Sequence, residues 1–429
     1  MRTRTRIVAV LLVSSVCASV ILPTFSAPIR ARMVALMRHS VRHKPNAAMV
    51  RAKVTALALA PTVGFGSPLP DLTGEQLTAF AIGLDEFVNV ENPAGGLGPV
   101  FNNNSCVSCH GVPAVGGASN INVTRFGAHP QGGSFDPLVS LGGSLLQQRA
   151  IVPAALEVVP TAANVVALRQ STPLFGMGLI EAIPDSAILD NAARQQSSEI
   201  SGRPSLVNDT ATGLLRIGRF GWKAQIANLL TFSGDAYLNE MGITNRFFPT
   251  ENAPNGDLRR LAQFDTVLDP EDTVDPLTGR SDIDAAADFM RYLAPPPVAL
   301  LTPSATQGAA VFGQTGCTGC HTPQFRTGAD DARIRSRYSR TVNLYSDLLL
   351  HDMGALGDGI VQGTASETEM KTPPLWGLSA SAPYLHDGRA RSVDQAILAH
   401  DGEAAATRER YRALTPTLRQ QLLDFLNSI

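Results

Sequence analysis

Residues 106–110 read Cys-Val-Ser-Cys-His and residues 317–321 read Cys-Thr-Gly-Cys-His, so one pattern occurs twice in the chain. Cys-x-x-Cys-His is the attachment signature of c-type haem. Two thiols at this spacing can form thioether bonds to the vinyl groups of one porphyrin, and the following histidine can donate its imidazole to the iron. The sequence therefore predicts two covalently attached haems. The predicted anchors are Cys106, Cys109, Cys317 and Cys320, and the predicted proximal ligands are His110 and His321.

Other roles for paired cysteines explain the pattern less well. A thioredoxin-like pair needs a βαβ context and no histidine directly after it. A four-cysteine zinc site normally has a short loop between its pairs, whereas Cys109 and Cys317 lie in different halves of the chain. A disulfide is an option in an exported protein, but it does not explain a histidine at the same place twice. The fifth cysteine, Cys17, lies near the N-terminus without a partner.

Length and composition indicate a globular protein. A chain of 429 residues has room for two or three domains. The 37 glycines and 29 prolines indicate many loops, and the low aromatic content of 6% is compatible with porphyrins that supply part of the apolar core.

The charge is unevenly distributed. Residues 1–66 hold ten lysines and arginines, and all 37 acidic residues come later. The body of the protein is therefore acidic and has no basic stripe to meet phosphates, which argues against nucleic acid as a partner. An acidic surface favours a cationic donor protein.

Residues 1–27 resemble an export signal. Arginines at the start precede an apolar run over residues 7–22, and the small residues Ser26 and Ala27 offer a cleavage point. Export to the periplasm agrees with c-type haem attachment, which takes place outside the cytoplasmic membrane. The alternative is an uncleaved leader that attaches the protein to the membrane.

Residues 28–66 are interpreted as a basic linker or pro-segment with little order. The segment contains His39 and His43, to which we assign no chemistry.

Helix signals divide the remaining chain. Thr73 with Gln76 and Ser304 with Gln307 have the spacing of capping boxes. Apolar periodicity predicts helices over residues 283–293 and 415–427, and the prolines at 295–297 end the first of them. We place a domain boundary after residue 297.

The order of elements is similar in the two halves. Residues 172–176, Thr-Pro-Leu-Phe-Gly, correspond to residues 372–377, Thr-Pro-Pro-Leu-Trp-Gly. With the duplicated haem motif this predicts a mainly α protein with two cytochrome c-like haem domains. They span residues 67–297, with large loop-rich insertions, and residues 298–429.

Several further stretches together resemble one family, the di-haem oxidoreductases related to bacterial dihaem cytochrome c peroxidases. The resemblance covers residues 70–429. Its carrying stretches are residues 98–102, 172–181, 219–225, 350–354, 372–377, 384–391 and 400–403. It implies that one haem, taken as the first, binds peroxide and that the other receives electrons from a small donor protein.

The resemblance also implies residue roles. His129 is a candidate displaceable ligand of the first haem, or else a loop histidine. Met370 is the preferred second ligand of the second haem, with Met353 as the alternative, although some relatives use an aromatic residue. Glu181 corresponds to an active-site glutamate, and its alternatives are His386, Arg389 and His400.

Two further roles are left open by the resemblance. Arg389 or Arg391 is a candidate partner of a haem propionate. Trp222 is either a redox relay between the haems or a core tryptophan.

The function predicted from these residues is an exported dihaem peroxidase that reduces hydrogen peroxide. The alternatives are a non-catalytic dihaem electron carrier and a dihaem oxygenase acting on an organic substrate. Calcium between the domains is a feature of the related peroxidases, but no dedicated calcium loop is present in the sequence.

Overall fold

The structure is a computed structural model that describes residues 47–58, 64–131, 133–195, 200–269, 271–276, 278–328 and 339–429. Twelve α-helices lie in this part of the chain. They are α1 (Ala47–Ala58), α2 (Gly74–Phe87), α3 (Cys106–Cys109), α4 (Met177–Glu181), α5 (Asp185–Gln195), α6 (Leu229–Met241), α7 (Leu258–Phe264), α8 (Asp282–Tyr292), α9 (Pro303–Thr315), α10 (Val393–Leu398), α11 (Ala405–Arg412) and α12 (Pro416–Leu426).

Short antiparallel sheets lie between the helices. The strands are β1 (Val100–Phe101), β2 (Asn122–Gly127), β3 (Leu145–Leu146), β4 (Arg149–Ala150), β5 (Val165–Gln170), β6 (Ser205–Asp209), β7 (Leu214–Gly218), β8 (Phe325–Arg326), β9 (Thr341–Val342), β10 (Leu350–Asp352) and β11 (Glu369–Lys371). The sheet orders are β1-β4, β3-β2-β5, β6-β7, β8-β9 and β10-β11. The mainly α prediction is confirmed, and the strands are an addition to it.

Helices α2 and α8 form the centre of the first half. The predicted capping box of Thr73 and Gln76 is present at the start of α2. Phe80 and Phe87 of α2 lie 5.3 and 4.6 Å from the ring of Phe289 in α8. A Cβ atom at Gly83 would lie 2.3 Å from the Ala285 carbonyl oxygen, so only glycine permits this close helix approach.

Helices α9 and α12 form the core of the second half. The rings of Phe312 and Phe425 lie 5.5 Å apart. The predicted cap at Ser304 is wrong: Thr302 caps α9, because Pro303 occupies the first helical position, and the Ser304 hydroxyl donates to Asp424 instead. The C-terminal helix is confirmed, with Thr415 as its N-cap.

The largest hydrophobic cluster crosses residue 297. It contains Phe80, Phe289 and Leu293 from the first half together with Leu344 and Leu349 from the second. The two halves therefore share a core, and the boundary after residue 297 stays a prediction.

The predicted signal peptide, residues 1–27, and the histidines at 39 and 43 lie outside the described residues. Within the predicted linker, residues 47–58 form α1. Lys53 of α1 forms an ion pair with Asp85 of α2, and Leu57 packs on the main core. None of the described helices combines the length and hydrophobicity that a membrane span requires.

A buried ionic network also joins the halves. Asp358, from the second half, lies 2.7 Å from Arg169 Nε and 3.0 Å from Lys223 Nζ. All three side chains are nearly inaccessible to solvent. Burial alone would raise the pKa of Asp358, but the charges of Arg169 and Lys223 hold that pKa below its usual value.

Replacing Asp358 tests this network. Asp358→Asn leaves two buried cations without a counter-ion, so we expect the free energy of unfolding in urea to fall by about 3–5 kcal/mol. Asp71→Asn is the matched control. Asp71 also pairs across the halves, 3.2 Å from Arg340, but its side chain is 82% exposed, so we expect a loss below about 1 kcal/mol. Equal losses in the two variants would contradict the network's role.

Candidate haem sites

The first Cys-x-x-Cys-His stretch is a single helical turn. Ser105 precedes α3 in an extended conformation, and the backbone N–H of His110 donates to the Cys106 carbonyl at 3.0 Å. Cys106 and Cys109 are both free thiols. The turn therefore places two thiols and an imidazole on one short segment, as haem attachment requires.

The ring of His110 has a defined orientation. Its Nδ1 atom lies 3.0 Å from the carbonyl oxygen of Gly117, and the Thr172 carbonyl also faces the ring. Because a carbonyl only accepts, Nδ1 carries the proton in this hydrogen bond. Burial lowers the pKa of His110, which keeps the ring neutral.

The second stretch repeats this arrangement. The His321 N–H donates to the Cys317 carbonyl at 2.9 Å, and its Nδ1 lies 2.9 Å from the Tyr345 carbonyl oxygen. Burial, with a contribution from nearby His400, lowers the pKa of His321 to about 4. Nδ1 is therefore occupied and Nε2 is the nitrogen suited to a metal, which is the usual state of a metal-ligating histidine.

The set of side chains at each stretch fits haem. Burial raises the pKa of all four cysteines, to about 11 for Cys109 and about 12 for Cys317. At each stretch two thiols stand next to an imidazole whose Nδ1 is already hydrogen-bonded, which is the set that a c-type haem requires.

A cavity of about 270 Å³ lies against the second stretch. It is lined by Cys317, Cys320 and His321 and, among others, by both candidate ligands, Met370 and Met353. Met370 is buried in β11, where it pairs with His351 of β10, whereas Met353 is half-buried. The structure thus brings both methionines and the motif histidine to one cavity.

His386 and Trp222 line the same cavity. Their rings meet edge-on at 6.2 Å, and Trp222 Nε1 donates to the Gln170 carbonyl at 2.8 Å. His386 is buried, which lowers its pKa. His386 is therefore a neutral base on the cavity wall.

Three other predicted residues lie elsewhere. Glu181 accepts hydrogen bonds from the Leu229 N–H at 2.9 Å and from Arg291 Nε at 3.0 Å. His129 is half-exposed, 3.7 Å from a Glu367 oxygen. Among the described residues neither lines the cavity, so their predicted roles stay predictions. Arg389 pairs with Asp387 at 2.6 Å.

A buried polar cluster beside the second stretch was missed. His351 Nε2 lies 2.9 Å from Asp347 and its Nδ1 lies 2.9 Å from Glu403. Cys320 Sγ is 3.6 Å from the same Nδ1. Gln195 from the first half donates to Asp347 at 2.7 Å. Residues 350–354 and 400–403 carried the family resemblance, but their spacing gave no sign of this contact.

The His351 ring in this cluster is positively charged. Only an imidazolium can donate to carboxylates at both nitrogens, and these hydrogen bonds overcome burial and raise the pKa of His351 to about 12. Despite its own partial burial, Glu403 has a pKa lowered to about 2 by His351. The metal-like spacing of Cys320, Asp347 and His351 is therefore a salt bridge beside a thiol. This cluster does not suit calcium, which prefers oxygen ligands. A calcium ion between the domains stays a prediction.

Two histidine sites of this kind fit a dihaem protein. The chain belongs to the family described as "Di-haem oxidoreductase, putative peroxidase", whose model matches residues 161–429. This range includes the second Cys-x-x-Cys-His stretch and begins after the first. The predicted family is confirmed, and the protein is an oxidoreductase. No curated protein matches the chain.

Solved structures give weaker likenesses. Hydrazine synthase of Kuenenia stuttgartiensis is 15% identical, with 88% of this chain and 92% of that chain covered and a TM-score of 0.39. The diheme peroxidase BthA from Burkholderia thailandensis is 16% identical, with 82% and 85% covered and a TM-score of 0.37. A MauG-like protein associated with microbial copper homeostasis is 15% identical, with 65% and 94% covered and a TM-score of 0.30. TM-scores this low support no conclusion about this chain.

Replacing His351 tests the buried charge. His351→Gln leaves Asp347 and Glu403 without their shared cation, so we expect unfolding to become easier by about 3 kcal/mol near pH 6. The folded pKa of His351 lies far above its unfolded value of 6.5, and that of Glu403 lies below 4.5. The stabilisation is therefore largest between these two unfolded values and decreases as the pH rises toward 12 or falls toward 2.

The measurement is urea unfolding of both proteins between about pH 5 and pH 10. His129→Gln is the matched control, because its half-exposed ring has only a distant carboxylate. A difference between wild type and His351→Gln that is constant across this pH range would contradict the buried imidazolium.

Proposed function

We propose that the protein is an exported dihaem c-type peroxidase. Electrons pass from a small donor protein to the second haem, then to the first haem, and then to hydrogen peroxide. The observation that carries the proposal is the duplicated site: each motif histidine is half-buried and bonded through Nδ1 to a backbone carbonyl, and its pKa is lowered. Bound haem supplies a redox-active iron with a coordination position that peroxide can occupy.

The haems are held covalently in this proposal. Cys106 and Cys109 bind the first porphyrin, and Cys317 and Cys320 bind the second. His110 and His321 are the proximal ligands. Met370 would be the second ligand of the iron that His321 binds, because its backbone is fixed in β11 and its side chain is buried at the cavity. A thioether ligand of this kind suits an electron-transfer haem.

A contact route joins the two sites. The Ser171 hydroxyl donates to the Cys109 carbonyl at 2.7 Å, which places β5 and the residues after it against the first motif. The neighbouring Gln170 carbonyl accepts from Trp222, which lines the cavity of the second motif. Trp222 thus lies one hydrogen bond from the strand that contacts the first motif, which supports a role as redox relay.

His386 is the proposed proton carrier for peroxide at the first haem. Its carbonyl accepts from the Gln170 N–H at 2.6 Å, and the next residue, Ser171, bonds to Cys109 of the first motif. Peroxide cleavage needs a base that takes one proton and returns it to the leaving oxygen. A neutral imidazole on a cavity wall can do this near neutral pH, whereas Glu181 is engaged by Arg291 and by the N-terminus of α6. Glu181 then acts by holding α6 and α8 together.

The test is peroxide-dependent oxidation of a reduced small c-type cytochrome by holoprotein made with the haem-attachment machinery. We expect turnover by the wild type. The matched variants are Cys106→Ala with Cys109→Ala, and Cys317→Ala with Cys320→Ala.

Intact-protein mass spectrometry should find two haems on the wild type and one on each double variant. Both variants should lose turnover, because each lacks one end of the electron path. Two haems without peroxide-dependent oxidation would make the protein an electron carrier, and a variant that keeps both haems would contradict covalent attachment.

A further inference from the structure

Two of the lysines in the described part of the chain are buried, and they differ in how their charge is balanced. Lys223 is fully buried, and its Nζ lies 3.0 Å from Asp358. It also donates to three backbone carbonyls, those of Ser366, Glu367 and Glu369, at 2.9, 3.3 and 2.6 Å. A buried ammonium is costly unless it is paired and hydrogen-bonded, and Lys223 meets both conditions.

Lys371 is hydrogen-bonded but is not paired with a carboxylate. Its side chain is also buried, with Nζ donating to the Thr372 carbonyl at 3.2 Å. Within the described ranges no carboxylate lies at ion-pair distance from this ammonium. The carboxylate that acts on this ammonium, Asp347, does so from farther away. Asp347 itself is engaged by His351 and Gln195.

The surroundings of Lys371 point to an anion. Lys371 lines the cavity of the second motif, and the described lining residues of that cavity include no aspartate or glutamate. Its other cationic side chains are paired: Arg219 with Asp185, Arg408 with Asp401, and His351 with Asp347 and Glu403. Among the described lining residues, Lys371 is therefore the cation without a carboxylate at ion-pair distance.

The position of Lys371 is fixed by the backbone. It pairs with Leu350 in the β10-β11 sheet, and its N–H donates to the Trp222 carbonyl at 2.9 Å. Because the backbone of Lys371 is fixed, its ammonium group can bind a carboxylate at a defined place in the cavity.

We propose that Lys371 binds a propionate carboxylate of the haem held by the second motif. The ion pair fixes the orientation of the ring in the cavity and places a positive charge at its edge. This role differs from the one predicted for Arg389, which is half-exposed and paired with Asp387. The inference rests on haem binding by the proposed function and not on its peroxide chemistry.

The experiment compares wild-type, Lys371→Met and Lys371→Arg holoproteins in a spectroelectrochemical titration without peroxide. A nearby positive charge favours the reduced haem, so loss of the charge lowers the reduction potential. For Lys371→Met we expect the equilibrium constant for reduction of the second haem to fall roughly tenfold, which lowers its reduction potential by about 59 mV. The potential of the first haem should not change. Lys371→Arg keeps the charge and should stay close to wild type.

Resonance Raman spectroscopy of the same proteins reports on the carboxylate itself. We expect the propionate bending band of the second haem to shift in Lys371→Met and to stay in place in Lys371→Arg. In the wild type, the band should respond to exchange into heavy water, because the bonded ammonium exchanges its protons. This last measurement needs no variant and holds if Lys371→Met fails to fold.

Two results would overturn the inference. One is an unchanged potential and an unchanged band in a haem-loaded Lys371→Met protein. The other is a wild-type band insensitive to heavy water. Both readouts are taken without peroxide, so a dihaem protein that lacks peroxidase activity still tests Lys371, and a peroxidase with an unchanged potential refutes Lys371 alone.

Discussion

The hydrogen bond from each motif histidine to a backbone carbonyl is the constraint on which both sites depend. It assigns the proton to Nδ1 and leaves Nε2 as the nitrogen suited to a metal, so the carbonyl has to be held in place as firmly as the histidine. Near the first site the Gly116 and Gly117 N–H groups bond back to the His110 carbonyl. A Cβ atom at Gly117 would lie 2.0 Å from the Val112 carbonyl oxygen, so this turn requires glycine. Near the second, Tyr345 is fixed by its N–H, which donates to the Pro323 carbonyl at 3.2 Å.

Buried charges are the second organising feature. Asp358 pairs with both Lys223 and Arg169 across the two halves, and His351 pairs with both Asp347 and Glu403 beside Cys320. Each cluster joins segments that are distant in sequence, and His351 of the second cluster lines the cavity. Charges of this kind set the electrostatic field in which a haem exchanges electrons, because they lie where solvent screens them little.

Local signals in the sequence predicted local structure well. The duplicated motif located both histidine sites, and Thr73, Thr415 and the prolines after residue 294 marked helix ends where the structure has them. The cap at Ser304 was misjudged because Pro303 moves the helix start. Contacts between distant segments were out of reach, since no spacing rule links His351 to Glu403 or Glu181 to Arg291. The shared core across residue 297 was missed for the same reason. Apolar periodicity shows which face of a helix is buried, but it does not show which element covers that face.

The central claim is that two haems with different tasks share this fold, and low-temperature EPR of the holoprotein tests it most directly. Spectra would be recorded for the oxidised and half-reduced protein, before and after hydrogen peroxide is added. The account predicts one low-spin iron with two firm ligands and one iron that is high-spin, or becomes so on half-reduction, and whose signal changes with peroxide. Two irons that remain low-spin and ignore peroxide would contradict it and identify an electron carrier.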